Sequence, residues 1–153
     1  MDRIAGFRLK AGLKDLGTIR RFIAEAGASR GIDPSTIYDL NLAVTELVTN
    51  TLDHGYRKPS GSFEIEIIRS DSDLLVRVRD EAPAFDPTRL PPPDLSFSLA
   101  ERPLGKMGIY LAQGSVDEFT HREIPGGGNE IILMKKGVFA SHHQEEPNHG
   151  IKD

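Results

Sequence analysis

The 153 residues are 38% hydrophobic and 27% charged, which is the profile of one globular domain. The formal net charge of -4 argues against direct nucleic-acid binding, because proteins that bind phosphate backbones carry clustered lysines and arginines. The absence of cysteine excludes disulfides and thiolate metal sites. The opening residues lack the apolar core of a signal peptide, and no apolar run is long enough to span a bilayer, so we expect a cytoplasmic protein without membrane contact.

The first half of the chain predicts one strand and two helices. Weak alternation over Ile4 to Leu9 indicates an edge strand. Apolar residues at helical spacing then predict a helix that Gly27 and Gly31 interrupt: Leu16, Ile19, Phe22, Ile23 and Ala26. Asp33 followed by Pro34 is a typical helix start, with the acid as the cap, and this second helix is predicted to end at His54-Gly55.

The second half predicts two hairpins separated by a long loop and a helix. Phe63 to Arg69 and Leu74 to Asp80 form the first hairpin, and Asp80 ends its second strand with a free carboxylate. Ala82 to Leu104 is rich in proline and has no periodicity, which is typical of a lid or binding loop. A helix is predicted over Lys106 to Gln113, followed by strands near Val116 to Arg122 and Glu130 to Lys136.

This order of elements predicts an α+β fold, a two-layer sandwich with helices on one face of a mixed, mostly antiparallel sheet. We expect the folded domain to cover residues 1–137, and the polar tail of residues 138–153 to be disordered. The tail histidines have no defined geometry and are assigned no role.

The second helix carries an unusual polar pair. Glu46 and Asn50 are four residues apart and therefore project from the same side of the helix, beside a stripe of apolar residues. Placing a carboxylate and a carboxamide there costs desolvation unless a partner is present, and a hydrated cation with its phosphates is the obvious partner. The alternatives are a solvated glutamate and an asparagine bonded to backbone.

Glycines also flank the start of the third helix, in the run Gly105-Lys106-Met107-Gly108. The free N–H groups of a helix start can hold phosphates, and Lys106 would add a positive charge. A glycine pair before a helix is otherwise common in loops and serves only the backbone conformation.

Together, three motifs resemble the GHKL ATPase superfamily: ELVTN with His54-Gly55, Asp80 opening DEAPAFDP, and the run from Gly105 to Gly108. The FDP after the aspartate and the closing GGNEIILMKK most resemble the anti-sigma factor serine/threonine kinases. The resemblance covers about Leu16 to Lys136 and implies a Bergerat-type ATP site with a lid.

The resemblance implies a role for each motif. Glu46 would be the general base that accepts the proton of the attacking hydroxyl, and Asn50 would bind Mg²⁺ through its amide oxygen. Asp80 would accept a hydrogen bond from the exocyclic amine of adenine. Ala82 and Ala84 occupy nucleotide-binding positions where the family usually has glycine, and Gly105, Lys106, Met107 and Gly108 would contact the phosphates.

The resemblance also implies partners: ATP with Mg²⁺, a sigma factor that is sequestered, an antagonist of the STAS type that is phosphorylated, and a second copy of the chain in a homodimer. His54 fits either the family pattern or a helix end, while Arg89 and Arg102 fit solvated loop residues best. Two other functions stay open. One is a partner-binding module, with or without nucleotide, that lacks kinase activity because Ala82 and Ala84 weaken the pocket; the other is a detached histidine-kinase catalytic domain.

Overall fold

The computed structural model describes residues 1–89 and 106–140, except for the side chains of residues 106–108. In these ranges, five strands and three α-helices follow in the order β1 (Asp2–Gly12), α1 (Leu16–Ser29), α2 (Pro34–Asn50), β2 (Ser60–Ser70), β3 (Asp73–Asp80), α3 (Lys106–Ser115), β4 (Glu118–Glu123) and β5 (Asn129–Lys135). Short 3₁₀ turns lie at Leu13–Asp15 and Pro87–Arg89, and a π-helical turn lies at Thr51–Tyr56.

The strands form one sheet in the spatial order β1-β2-β3-β5-β4. Every pairing among these described strands is antiparallel, so the sheet is not mixed. Asp80 on β3 is aligned with Asn129 on β5, which places the start of the last strand beside the end of the third. The predicted α+β architecture and both hairpins are confirmed.

The core lies between the sheet and the helices. Alternate residues of β2, β3 and β5 face the helical layer and are at most 2% exposed: Ile65, Ile67, Val76, Val78, Ile131 and Leu133. They share one cluster with the apolar stripe of α2, namely Leu40, Val44, Leu47 and Val48. Burying each such side chain contributes about 1.5–3 kcal/mol, so this interface stabilises the packing of α2 on the sheet.

The opposite face of the sheet carries a ladder of ion pairs. Among the described residues, three glutamates are each flanked across strands by two arginines: Glu66 by Arg3 and Arg77, Glu64 by Arg8 and Arg79, and Glu130 by Arg79 and Arg122. Burial alone would raise the pKa of Glu130, but the bonds from Arg122 and Arg79 outweigh it and hold that pKa below its usual value.

Two predicted helix boundaries are wrong. The first helix continues through Gly27 to Ser29, because Gly27 is buried against Ile37 of α2, and the turn comes at Gly31 with a φ of 67°. The second helix ends as an α-helix at Asn50 and continues as the π turn. Its left-handed residue is Arg57, with a φ of 56°, and not Gly55.

Packing continues past residue 137. Val138 and Phe139 contact the core cluster, and the Arg69 guanidinium lies 4.5 Å from the centre of the Phe139 ring. The predicted tail beyond residue 140 lies outside the described residues, and the domain boundary at 137 stays a prediction. No helix in the described parts is both long and apolar enough to cross a membrane.

Candidate functional site

The base of the site is α2, whose start and packing explain its position. The Asp33 carboxylate accepts a hydrogen bond from the Ser35 backbone N–H at 3.3 Å, and Pro34 occupies the first turn, as predicted. Glu46 lies one turn before the end of α2 and is half-buried. Desolvation raises the pKa of its carboxyl, which brings a potential proton acceptor closer to neutral pH.

Asn50 ends α2 and is 1% exposed. Neither its Nδ2 nor its Oδ1 forms a hydrogen bond with any described residue. A buried polar group without a partner costs about 1–3 kcal/mol, and no described residue offsets that cost for this amide. Its oxygen fits Mg²⁺, which prefers oxygen ligands and takes the others from phosphates and water. The described residues contain no group of three or more His, Cys, Asp or Glu that could hold a metal by themselves.

The π turn directly after Asn50 joins the helix end to the end of β3. The Tyr56 hydroxyl donates to the Ser62 carbonyl at 2.5 Å and accepts from the Glu81 backbone N–H at 2.7 Å. The imidazole of His54 stacks on Phe85, with ring centres 5.7 Å apart. Single π turns inside helices are frequent at functional sites, and this one brings residues 54–56 against the segment that follows Asp80.

Asp80 ends β3 and is 6% exposed. The two hydrogen bonds that described residues make to its carboxylate both go to Oδ1, from the Ala82 backbone N–H and from the Asn129 side-chain Nδ2, each at 2.9 Å. Burial raises the pKa of Asp80, although these bonds and the nearby His121 oppose the increase. Oδ2 accepts none of the hydrogen bonds recorded among the described residues.

The two alanines after Asp80 occupy different surroundings. Ala82 is fully buried, and a Cβ placed on Gly55 would lie 3.1 Å from the Ala82 Cβ. The methyl group of Ala82 is thus accommodated where the π turn has no side chain. Ala84 is exposed and meets no comparable restriction.

The predicted phosphate cradle is only partly described. Gly105 and Arg102 lie outside the described residues, whereas Lys106, Met107 and Gly108 form the first turn of α3. The Lys135 ammonium binds Asp39 of α2 at 3.0 Å and the Ser115 carbonyl of α3 at 3.2 Å, which fixes the C-terminal end of α3 beside the start of α2. The helix α3 packs against α2.

Sequence reasoning missed Asn129, His121 and Gly128. The backbone of Gly128 has a φ of 97°, and any Cβ there would collide with the Asp80 carbonyl oxygen. This close approach aligns Asn129 with Asp80. One signal was present in the sequence: Asn129 is the polar member of an alternating series that continues with Ile131 and Leu133. Arg89, by contrast, is exposed and pairs with Asp86 at 3.3 Å, in agreement with a solvated loop residue.

Comparison with known proteins identifies the family. The sequence profile of the histidine kinase-like ATPase domain matches residues 9–135, so the chain belongs to that family of ATPase domains. It is 29% identical over 123 residues to the anti-sigma F factor of Clostridium acetobutylicum, covering 74% of this chain and 81% of that protein. It is 25% identical over 154 residues to the serine-protein kinase RsbW of Bacillus anthracis, covering 97% and 94% of the two chains.

A solved structure shares the fold. The structure of the RsbU and RsbW domains of Rv1364c from Mycobacterium tuberculosis superposes with a TM-score of 0.57 at 20% identity. The match covers 90% of this chain and 34% of that longer chain. The family match and the shared fold therefore place this chain among the histidine kinase-like ATPase domains, and the relatives that it resembles are named anti-sigma F factor and serine-protein kinase RsbW.

Proposed function

We propose that this protein is an ATP- and Mg²⁺-dependent serine/threonine kinase that sequesters a sigma factor and phosphorylates an antagonist protein of the STAS type. The observation that carries the proposal is the state of Asn50, a fully buried amide with no described hydrogen-bond partner, one turn from the half-buried Glu46. The relatives named anti-sigma F factor and serine-protein kinase RsbW support the choice of reaction and partners.

In this proposal each side of the site has one task. Asp80 accepts a hydrogen bond from the exocyclic amine of adenine, which distinguishes adenine from guanine, because guanine presents a carbonyl at that position. Asn50 holds Mg²⁺ through Oδ1, and Mg²⁺, when bound, neutralises charge on the phosphates. The first turn of α3, from Lys106 to Gly108, offers backbone N–H groups to the phosphates.

Glu46 acts on the protein substrate. Its carboxylate accepts the proton of the serine or threonine hydroxyl as that oxygen bonds to the γ-phosphorus and the bond to ADP breaks. The raised pKa of Glu46 suits this task, because a base works best when its pKa lies near the working pH.

We also propose a homodimer that uses the outer face of the sheet. That face exposes the arginine and glutamate ladder of β1, β2 and β3, and the described helices leave it uncovered. Sedimentation of the wild type against a charge-reversed Arg8→Glu variant tests this contact: the variant should sediment as a monomer.

The experiment for the kinase has two stages. A thermal shift with ATP and Mg²⁺ tests binding, and its absence would refute the proposal. Label transfer from γ-labelled ATP to proteins captured from the native cell then tests the reaction. A protein that binds ATP and transfers no label would be a nucleotide-dependent binding module, and label on a histidine would indicate a histidine-kinase domain.

A further inference from the structure

Asn129 occupies the centre of a fully satisfied hydrogen-bond network. It is 2% exposed, and its Nδ2 faces three oxygens: Asp80 Oδ1 at 2.9 Å and the carbonyls of Ala82 at 3.3 Å and Pro83 at 3.2 Å. Because three acceptors surround one end of the amide, that end carries the N–H groups. The orientation of the side chain is therefore fixed by its neighbours.

The other end of the amide binds two donors. Asn129 Oδ1 accepts from the Phe85 backbone N–H at 3.1 Å and lies 2.9 Å from Nε2 of His121. Since this oxygen can only accept, Nε2 of the imidazole carries a proton and donates it to Asn129. The other ring nitrogen, Nδ1, lies 3.7 Å from Oδ2 of Asp86, and the His121 side chain is only 7% exposed. The imidazole thus connects β4 to both Asn129 and the Phe85–Asp86 segment.

We propose that Asn129 and His121 are positioning residues for the recognition of adenine by Asp80. The inference rests on the function proposed above, because it assigns Asp80 to the base. Asn129 and the Ala82 N–H occupy Oδ1 of Asp80, which holds the carboxylate in one rotamer and directs Oδ2 to the incoming amine. His121 in turn holds Asn129 and, through it, the wall formed by Phe85.

The network also keeps Asp80 an acceptor. Burial raises the pKa of Asp80, and the Asn129 side chain is the largest influence that opposes the increase. Without Asn129 the carboxyl would be protonated more readily, and a protonated carboxyl can donate to a carbonyl. Loss of Asn129 should therefore weaken adenine binding and also lower the preference for adenine over bases that carry a carbonyl.

The test compares ADP with IDP, whose base carries a carbonyl in place of the amine. Calorimetric Kd values are measured for wild type, Asn129→Leu, His121→Leu and His121→Gln, with unfolding temperatures as a check on the fold. We expect Asn129→Leu to bind ADP about tenfold or more weakly and its ADP preference to fall toward one, since a hydrogen bond to a charged group is worth about 1.5–3 kcal/mol. His121→Leu should show a smaller loss in the same direction.

His121→Gln is the conservative control. A glutamine N–H can replace the Nε2–H that Asn129 accepts, so this variant should recover the ADP preference that His121→Leu loses. A folded Asn129→Leu or His121→Leu protein with the wild-type ratio of ADP to IDP affinity would overturn the inference and leave the proposed function intact. A wild-type protein that binds neither nucleotide would overturn both.

Discussion

Asp80 and Asn129 are cross-strand neighbours on β3 and β5, and their side chains share a hydrogen bond of 2.9 Å in a buried environment. This pair marks the adenine side of the proposed site, whereas Asn50 and Glu46 mark the phosphate side. The π turn between α2 and β2 connects the two sides through Tyr56, His54 and Gly55. Each part of this arrangement leads to a measurable expectation.

Replacing Asn50 with leucine should separate folding from nucleotide binding. Leucine has the same number and branching of side-chain heavy atoms and removes a buried amide that has no described partner, so the unfolding temperature without ligand should stay the same or rise. The stabilisation that ATP and Mg²⁺ give to the wild type should be lost, as a thermal shift would show. A large loss of stability without nucleotide would instead show that Asn50 is a structural residue.

Glu46→Gln should stabilise the protein and slow phosphate transfer. Burial raises the pKa of Glu46 in the folded state, so its ionised form opposes folding as pH rises through the interval between the unfolded and folded pKa values. Glutamine removes this penalty, and each kcal/mol relieved near neutral pH raises the unfolding temperature by roughly 2–4 °C. Transfer should fall about 10²–10⁴-fold, as for loss of a general base.

The pH dependence of transfer gives a second measurement on Glu46. Only the ionised carboxylate can accept a proton, so the wild-type rate should fall as pH decreases through the raised pKa of Glu46. The residual rate of Glu46→Gln should lack this fall. If the transfer rate of Glu46→Gln decreases at low pH in the same way as that of the wild type, a group other than Glu46 causes the decrease.

Gly55 and Ala82 should behave as a coupled pair. A methyl group on Gly55 would lie 3.1 Å from the Ala82 Cβ, which is closer than ordinary van der Waals contact. We expect Gly55→Ala to be tolerated better when Ala82→Gly is also present, with a coupling of about 0.5–3 kcal/mol in a double-mutant cycle by urea unfolding. Additive effects of the two substitutions would contradict this contact.

Arg79→Met should destabilise the fold from the outer face of the sheet. Arg79 donates to the 5% exposed Glu130 at 2.8 Å, and its loss leaves a buried carboxylate with a single arginine, at a cost of about 1–3 kcal/mol. The bonds from arginine hold the pKa of Glu130 low, so the stability they provide is present above the unfolded pKa and is lost as pH falls through the folded pKa. The difference in free energy of unfolding between the wild type and Arg79→Met should therefore become smaller at low pH.

Arg8→Met is the matched control for Arg79→Met. The Arg8 side chain is 84% exposed and pairs with Glu64 at the edge of the sheet. Within one protomer an exposed ion pair contributes little, so this substitution should change the free energy of unfolding of the monomer by less than about 0.5 kcal/mol, measured under conditions in which both proteins are monomeric. Equal changes in the free energy of unfolding for Arg79→Met and Arg8→Met would show that burial of Glu130 does not determine how much its ion pairs contribute to stability.

Local sequence patterns were sufficient for much of the fold. The cap at Asp33, the apolar stripe of α2 and the alternation of β3 each depend on neighbouring residues alone, and all were predicted. The end of α2 was not, because the π turn depends on the contact of Tyr56 with Glu81, which is distant in sequence. A glycine at position 55 suggested a helix cap, whereas in the structure the glycine packs closely against the methyl group of Ala82.

The candidate site likewise contains residues that local sequence patterns could predict and residues that they could not. Glu46 and Asn50 could be selected from spacing, since they are four residues apart on one helix. Asn129 and His121 could not, because their relation to Asp80 requires β5 to pair with β3 and β4 to pair with β5 in one register. Only the sheet brings these three polar side chains together.

The most direct measurement of the central claim is phosphosite mapping after a reaction with ATP and Mg²⁺. The wild-type protein and Glu46→Gln are each incubated with the proteins that co-purify from the native cell, and phosphopeptides are quantified by mass spectrometry. The account predicts a phosphorylated serine or threonine on one small co-purifying protein, and a strong reduction with Glu46→Gln. ATP binding without such a phosphosite, or equal phosphorylation by both proteins, would contradict it.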